Sequence, residues 1–247
     1  MSWRLRNRLS TRGRRIARVA ADRTLRPVGS LHRVATEAPY VAVTFDDGPD
    51  PEHTPDVITA LDRARATATF FVLLDRAHQH SSLVGDICSA GHELALHGPT
   101  HDRVTRRPIG ALARVLRNAR YALEDAHGVP VRWYRPPFGA QSLRSYLAAR
   151  AAGLDVVVWS SDARDWLPRP LPDIAADAAR TSTPGRILLL HDGLVSDPAN
   201  PTPPTSFARG AMTEAVLAAL ARRGLSGTTV SDLLQFGKPE RTAWFRP

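Results

Sequence analysis

Short apolar runs alternate with longer helical patterns from residue 40 onward, and this alternation constrains the fold of the chain more than any other feature. The runs predict strands at residues 40–45, 67–73, 93–96, 131–134, 154–159, 186–190 and 227–230. The segments between them predict helices at residues 55–65, 82–90, 109–127, 142–152, 171–181 and 211–223. Repeated units of one strand and one helix are typical of an α/β fold with a mainly parallel sheet. Seven such strands favour a barrel.

The length of the chain predicts one main folded unit. A chain of 247 residues with 43% hydrophobic side chains can bury one substantial core, and single α/β barrels commonly have about this length. We predict a basic N-terminal arm at residues 1–36, a single domain at residues 37–236 and a tail at residues 237–247. Residues 197–206 include four prolines and predict an exposed loop or flap.

The net charge of +9 belongs to the arm. Residues 1–33 contain ten arginines and one acid, Asp22, whereas the rest of the chain carries 23 basic and 23 acidic groups. If the arm is helical, its apolar residues share one side, opposite most of the arginines: Leu5, Leu9, Ile16, Val19 and Ala20. Such a helix suits an anionic membrane surface, and a disordered solvated tail is the alternative. The arm has one aromatic residue, Trp3, so we expect no nucleic-acid partner.

The arm does not resemble a secretory signal. Arginine recurs through it, and no apolar stretch reaches the roughly 7 residues that a signal-peptide core needs. We therefore predict a cytoplasmic or membrane-surface location and leave export open. Cys88 is the only cysteine, so an intrachain disulfide and a thiolate metal cluster are both excluded.

Reactive side chains follow five of the predicted strands. In chain order they are Asp46 and Asp47, His97 and His101, Arg135, Asp162 and Asp165, and His191 and Asp192. The carboxyl ends of parallel strands meet at one rim, where the chemistry of such folds collects. The sequence therefore predicts a single site at this rim, and it favours a functional aspartate pair over a simple polar turn at residues 46–47.

The residue types at this rim predict metal-assisted hydrolysis. Pro99 disfavours a helix between His97 and His101, so we expect the two imidazoles to converge from a loop. Two histidines and one carboxylate leave a coordination position open for water, which is the pattern of catalytic zinc, although surface or capping histidines are the alternative. One aspartate of the pair can bind the metal while the other takes a proton from water. His191 is the candidate acid for a leaving nitrogen.

Five motifs occur in order along the chain. They are Thr-Phe-Asp-Asp-Gly-Pro at residues 44–49, the histidines of residues 97–101, Arg-Pro-Pro-Phe-Gly at residues 135–139, Asp-Ala-Arg-Asp-Trp at residues 162–166 and Leu-Leu-His at residues 189–191. Over about residues 41–234 this set resembles the polysaccharide deacetylases with a NodB-homology domain, carbohydrate esterase family 4. The resemblance implies a distorted (β/α)7-type barrel. It also implies removal of N-acetyl groups from N-acetylglucosamine units of a glycan, either peptidoglycan or a chitin-type oligosaccharide.

The resemblance implies acid and base roles for four matching residues. Asp46 is the implied catalytic base, and Arg135 would pair with it and keep it ionised. His191 is the implied catalytic acid. Asp165 would orient His191 and raise its pKa, because a nearby opposite charge favours the charged form.

The resemblance also implies the metal ligands and the lining of the site. A divalent metal, usually zinc in this family, would be held by Asp47, His97 and His101. The backbone N–H of Phe138 would stabilise an oxyanion, while Trp166 and Leu189 would line the substrate pocket. One position departs from the family pattern, because Gly98 stands where many members have Ser or Thr. Thr100 is the candidate to supply the missing hydroxyl.

Two other functions remain open at this stage. One is hydrolysis of another non-peptide C–N bond, in a small amide or a cyclic imide. The other is glycan binding without catalysis, against which Asp46 and His191 count, because a binding protein needs neither a base nor an acid. No Gly-x-Ser-x-Gly motif occurs, which disfavours serine-based hydrolysis.

Overall fold

The computed structural model describes residues 29–195, 205 and 207–245. Within these residues the strands are β1 Ser30–Ala35, β2 Tyr40–Asp46, β3 Thr69–Leu73, β4 Glu93–Gly98, β5 Trp133–Tyr134, β6 Asp155–Val156, β7 Ser161–Asp162, β8 Ile187–His191, β9 Ser226–Thr228 and β10 Lys238–Thr242. The α-helices are α1 Thr54–Arg63, α2 Leu74–Gln79, α3 Ser81–Ser89, α4 Ile109–His127, α5 Leu143–Ala151, α6 Leu171–Thr181, α7 Arg209–Ala221 and α8 Val230–Leu233. Short 3₁₀ helices occur at Pro137–Gly139 and Leu234–Phe236.

The main sheet is parallel and curled. Its strands follow the order β6-β5-β4-β3-β2-β8-β7. β8 pairs with residues 42–46 of β2, while the other edge of β2 is shared by β9 at residues 40–42 and β3 at residues 44–46. This arrangement confirms the α/β fold, a distorted (β/α)7-type barrel in a single domain.

A second, two-stranded sheet closes the seam of the barrel. β1 pairs with β10 in antiparallel fashion and lies between the two ends of the main sheet. The N–H of Val158, just after β6, donates to Leu31 O at 2.8 Å, and the N–H of Val34 donates to Gly185 O, just before β8, at 2.8 Å. β1 therefore bridges the regions beside β6 and β8.

These two strands lie in segments that the sequence assigns to the arm and the tail, so the folded unit extends beyond residues 37–236 at both ends. In β1, Leu31 and Val34 are buried, but the basic residues around them obscure the apolar pattern. β10 is polar, and its partner strand is about 200 residues away in the sequence, where no local pattern reveals the pairing. Residues 1–28, where the predicted arm helix falls, lie outside the described residues, as do residues 197–204 and 206 of the predicted flap.

The barrel buries apolar residues on both faces of the main sheet. The helices cover the outer face, and α4 contributes Leu112, Ala113, Leu116, Ala119 and Leu123. On the inner face, Phe71, Ala95 and Trp133 pack with Leu31 of β1. Glu93, at the start of β4, accepts hydrogen bonds from Trp133 Nε1 at 2.8 Å and Thr69 Oγ1 at 2.7 Å. This network fills the amino-terminal end of the barrel.

The helices in the described part of the chain include none with both the length and the apolar character needed to cross a bilayer.

Candidate active site

The strand ends bring the predicted residues to one rim. Asp46 ends β2 and lies opposite His191, the last residue of β8, in the parallel register. His97 lies near the end of β4, and Arg135 follows β5 directly. The carboxyl ends of β2, β4, β5 and β8 therefore surround a common space, as the sequence predicted.

The two adjacent aspartates face different groups because the chain turns between them. Asp47 has a φ of 77°, a left-handed conformation that is uncommon for a residue other than glycine. Its backbone carbonyl accepts a hydrogen bond from Arg76 Nη1 at 3.1 Å, and its Oδ2 accepts one from the Val195 N–H at 3.2 Å. These contacts hold Asp47 in a conformation that costs on the order of 1–3 kcal/mol.

Asp47, His97 and His101 form a cluster that fits a divalent metal. Their ligand atoms all lie within 4.8 Å of one another. Asp47 Oδ1 lies 3.3 Å from His97 Nε2 and 3.2 Å from His101 Nε2, and it is buried with no hydrogen-bond partner within residues 29–195, 205 and 207–245. A buried carboxylate oxygen left without a donor, facing two imidazole nitrogens, is the donor set expected of a zinc-type site.

The hydrogen bonds and burial of the histidines prepare them as ligands. His97 Nδ1 lies 2.8 Å from Arg135 O, and a carbonyl can only accept, so Nδ1 donates to it and Nε2 is the nitrogen that faces the cluster. Burial lowers the pKa of His101 to about 4, although the charge of Asp47 opposes this shift. His101 is therefore neutral at pH 7, which is the form that binds a metal.

Asp46 is held by a buried arginine on the other side of the cluster. Arg135 is fully buried, and its Nη1 donates to Asp46 Oδ1 at 2.7 Å and to Thr44 Oγ1 at 2.8 Å. The guanidinium lies 4.1 Å from the centre of the Phe71 ring. Asp46 Oδ2 lies 4.0 Å from His97 Nδ1, beside the proposed metal ligands. The arginine therefore fixes the direction of the Asp46 carboxylate and leaves Oδ2 facing the cluster.

His191 is paired with Asp165 opposite Asp46. Its Nδ1 lies 2.9 Å from Asp165 Oδ1, and its backbone N–H donates to Asp165 Oδ2 at 2.8 Å. Burial alone would lower the pKa of His191, but the charge and hydrogen bond of Asp165 raise it to about 9. The imidazole therefore carries a proton at pH 7. Nδ1 donates to Asp165, and Nε2 is the nitrogen that can donate a proton to a substrate.

The predicted lining residues lie close to the reactive groups. The Phe138 ring lies 4.2 Å from the His101 ring, and the Trp166 ring meets His191 edge-on at 5.7 Å. Phe138 has a φ of 59°, which turns the backbone of the motif at residues 135–139. Leu189 is buried in β8, where it pairs with Thr44 of β2.

Gly98 departs from the family pattern for a steric reason. Its φ is 144°, and a Cβ atom there would lie 2.9 Å from Thr100 O, so this loop cannot take Ser or Thr at residue 98 without shifting. Thr100 Oγ1 donates to Asp102 Oδ2 at 2.8 Å and braces the loop from within.

Two arginines that lie outside the five motifs contact the site residues. Arg76 lies on α2, a helix that was not predicted, and Arg209 is the first residue of α7. Arg209 Nη1 donates to Asp165 Oδ2 at 2.9 Å. Neither belongs to a recognisable motif, so only the tertiary contacts reveal them.

The fold and the site together define a class, the metal-assisted hydrolases built on a parallel barrel. Within it the chain belongs to the polysaccharide deacetylase family, whose sequence profile matches residues 33–157. The match confirms the predicted family and the predicted enzyme class, a polysaccharide N-deacetylase.

Two curated relatives cover most of the chain. A chitooligosaccharide deacetylase of Sinorhizobium fredii is 39% identical over 170 residues, which are 68% of this chain and 79% of the relative. A peptidoglycan-N-acetylglucosamine deacetylase of Bacillus cereus is 31% identical over 215 residues, which are 86% of this chain and 96% of the relative.

Among solved structures, the wild-type form of a carbohydrate esterase family 4 pseudoenzyme from Bacillus anthracis is similar, with a TM-score of 0.73 and 21% sequence identity. The match covers 84% of this chain and 69% of that one. A pseudoenzyme can thus share this fold, so the fold alone does not establish activity.

Proposed function

We propose that this protein removes the acetyl group from N-acetylglucosamine units of a glycan, either a chitin-type oligosaccharide or peptidoglycan. The proposal rests on the different partners of the two aspartates at the end of β2. Asp46 is paired with Arg135, Asp47 faces two histidines, and the His191–Asp165 pair lies opposite. A base, a ligand set and an acid therefore converge on one space.

We infer that Asp47, His97 and His101 hold a divalent cation, and that zinc suits their one oxygen and two nitrogens. When bound, such a cation supplies Lewis acidity that activates a water and polarises a carbonyl. The chain supports that site with a protonated Nδ1 on His97 and with the Val195 N–H on Asp47 Oδ2.

Asp46 acts as the base in this proposal. As the water oxygen forms its bond to the acetyl carbon, Asp46 takes the proton that the water loses. Arg135 fixes the direction of the carboxylate through its 2.7 Å hydrogen bond to Oδ1. The backbone N–H of Phe138 donates to the oxyanion that develops on the acetyl oxygen, and donors of this kind account for a large part of catalysis.

His191 acts as the acid when the C–N bond breaks. The protonated imidazole donates from Nε2 to the departing nitrogen, which leaves as a free amine while the acyl part leaves as acetate. Asp165 holds Nδ1, so the proton that is transferred is the one that faces the site. Trp166 and Leu189 would border the acetyl group or the sugar.

We also propose that the basic arm contacts an anionic membrane surface, which would place the protein at that surface. Its excess of arginine supports this.

The function is tested by acetate release from purified protein supplied with Zn²⁺. The substrates are N-acetylated chitooligosaccharides, peptidoglycan, small amides and a cyclic imide. Acetate and new amine are expected from a sugar substrate, with loss of both on chelation and in Asp46→Asn. Asp86→Asn, an exposed change on α3, serves as the matched control and should keep full activity. Full activity in Asp46→Asn would refute the mechanism, and cleavage of only the imide or the small amides would refute the substrate class.

A further inference from the structure

Arg209 lies directly behind the His191–Asp165 pair. Its side chain is almost fully buried, and its Nη1 donates to Asp165 Oδ2 at 2.9 Å and to Asp165 O at 3.1 Å. Its Nη2 donates to Thr205 Oγ1 at 3.1 Å. Asp165 is itself wholly buried, so one carboxylate oxygen contacts His191 Nδ1 while the other receives Arg209 and the His191 N–H.

The position of Arg209 in its helix is not explained by helix stability. It is the first residue of α7, where the helix macrodipole disfavours a positive charge. The preceding residue, Ala208, makes no side-chain cap. The charge of Arg209 is unfavourable at the start of the helix, and its burial costs desolvation. The hydrogen bonds to Asp165 are the interaction that offsets both costs.

The packing of α7 fixes where this arginine lies. A Cβ atom on Gly210 would lie 2.6 Å from Asp56 Cβ, so α7 begins in close contact with α1 and no larger residue fits there. Thr213 Oγ1 donates to Arg209 O at 2.9 Å. The start of α7 is thus anchored, and the guanidinium has a fixed direction toward Asp165.

We propose that Arg209 is a positioning residue for the acid step: it locks the Asp165 carboxylate so that Oδ1 holds His191 Nδ1 and Nε2 delivers the proton. This inference rests on the proposed deacetylation. It parallels the other half of the site, where Arg135 holds Asp46. Without Arg209, the buried Asp165 carboxylate would keep His191 as a partner but would lose its arginine and one of the two donors to Oδ2.

The dependence on the leaving group separates this role from a merely structural one. An amine leaving from an N-acetylated sugar needs a proton, whereas the phenolate of 4-nitrophenyl acetate departs without one. A substitution that affects only the acid step should therefore lower the rate of amide hydrolysis and leave the rate of ester hydrolysis nearly unchanged. His191→Ala provides the benchmark, and the amide rate should fall by about 10²-fold or more.

The experiment compares Arg209→Gln and Arg209→Lys with the wild type on N-acetylated chitooligosaccharide and on 4-nitrophenyl acetate, both with Zn²⁺. For Arg209→Gln, kcat on the sugar should fall at least about tenfold, a smaller loss than that expected for His191→Ala. KM should stay within about twofold of the wild type. Ester hydrolysis and bound zinc should stay within about threefold of the wild type, and Arg209→Lys should recover part of kcat. Combining Arg209→Gln with His191→Ala should add little to the loss of His191 alone.

Arg241→Gln is the matched control, because Arg241 also forms a part-buried pair, with Asp155 at the first residue of β6, away from the rim. It should leave the ratio of amide to ester rates unchanged. An equal loss on ester and amide in both Arg209 variants, or a wild-type kcat on the sugar in Arg209→Gln, would overturn the proposal. If Arg209→Gln does not fold, the same comparison is made with Arg209→Lys.

Failure of the proposed substrate gives a different pattern. The wild type would then release no acetate from any glycan yet would still cleave aryl acetates. A series of aryl acetates with rising leaving-group pKa then replaces the sugar. A steeper decline in rate for Arg209→Gln than for the wild type supports the positioning role, and equal slopes overturn it.

Discussion

Asp46 and Asp47 are adjacent in the chain, yet they serve different parts of the site because the left-handed turn at Asp47 separates their side chains. Asp46 meets Arg135, whereas Asp47 meets His97 and His101. Two identical side chains therefore differ in their contacts through backbone geometry and neighbours alone.

This division predicts opposite metal-binding behaviour for two neighbouring substitutions. Asp47→Asn should weaken zinc binding by more than about 100-fold. Losing a residue that only hydrogen-bonds a metal ligand already costs roughly 10- to 100-fold, and Asp47 is a proposed ligand itself. Asp46→Asn should keep zinc affinity within about threefold while kcat falls by about 10²- to 10⁴-fold, because it removes the proposed base. Competition with a chelating dye measures the affinity, and Asp86→Asn is the control. Equal zinc affinity in both variants would show that the two aspartates are not divided in this way.

His92 is a buried titratable residue that lies outside the site. It precedes β4 and packs against Phe70, and neither ring nitrogen has a hydrogen-bond partner among the described residues. Burial lowers its pKa to about 4, although Asp62 opposes the shift. Between pH 6.5 and 4 the unfolded chain therefore binds a proton that the folded chain does not.

We expect this histidine to make the fold acid-sensitive. As pH falls from 6.5 to 4, the free energy of unfolding should decline by up to about 3 kcal/mol from His92 alone. His92→Phe should remove this part of the decline, and His78→Gln, an exposed change on α2, should not. Urea unfolding at pH 7.5 and pH 5 measures the difference. An unchanged pH dependence in His92→Phe would contradict the assignment.

At the scale of elements, local patterns predict the long helices best. α4 and α6 have the predicted bounds because their apolar residues recur every three or four positions. The predicted strand at residues 154–159 contains only β6, and Ser161–Asp162 forms a separate strand, since these segments pair over two residues each. The strand predicted at residues 227–230 ends at Thr228, because the Thr229 side chain caps α8.

The candidate site was more predictable than the frame that supports it. The ordered motifs named the reactive groups, and the parallel strands gave them a common rim. The supporting residues Arg76 and Arg209, and strands β1 and β10, act through contacts that join distant parts of the chain. Sequence periodicity carries no information about such contacts.

The segment after β10 supports the turn of the motif at residues 135–139. Trp244 Nε1 donates to Gly139 O at 3.0 Å, and its ring packs on Trp159 at 5.0 Å. A Cβ atom on Gly139 would lie 2.5 Å from Trp159, so the turn fits tightly over these two rings. The C-terminal segment therefore helps to place Phe138 beside His101.

We predict a graded effect at Trp244. Trp244→Ala should cost about 3–5 kcal/mol of stability and lower kcat/KM, because the turn loses its packing and its hydrogen bond. Trp244→Phe keeps most of the packing and should cost about 1 kcal/mol. Urea unfolding and acetate release measure the two effects, with bound zinc as the control for the intact ligand cluster. A wild-type kcat/KM in Trp244→Ala would show that the turn does not depend on this segment.

The whole molecule divides its charge unevenly. The arginines of residues 1–33 account for the entire net charge, while the remainder carries equal numbers of acidic and basic groups. The catalytic unit therefore has no overall attraction to a polyanion, and any electrostatic attachment to a surface should come from the arm.

This asymmetry predicts salt-sensitive binding to anionic vesicles. In co-sedimentation, the full chain should bind vesicles rich in phosphatidylglycerol and not neutral phosphatidylcholine vesicles, and binding should fall as salt screens the charges. Each basic residue near an anionic surface contributes about 1 kcal/mol. Replacing Arg12, Arg14, Arg15 and Arg18 with Gln should therefore weaken binding at least about tenfold. Acetate release from a soluble oligosaccharide should not change, because none of the site residues lies in the arm. If binding changes neither with salt nor in the variant with these four substitutions, the arm is not the surface that attaches the protein to the vesicle.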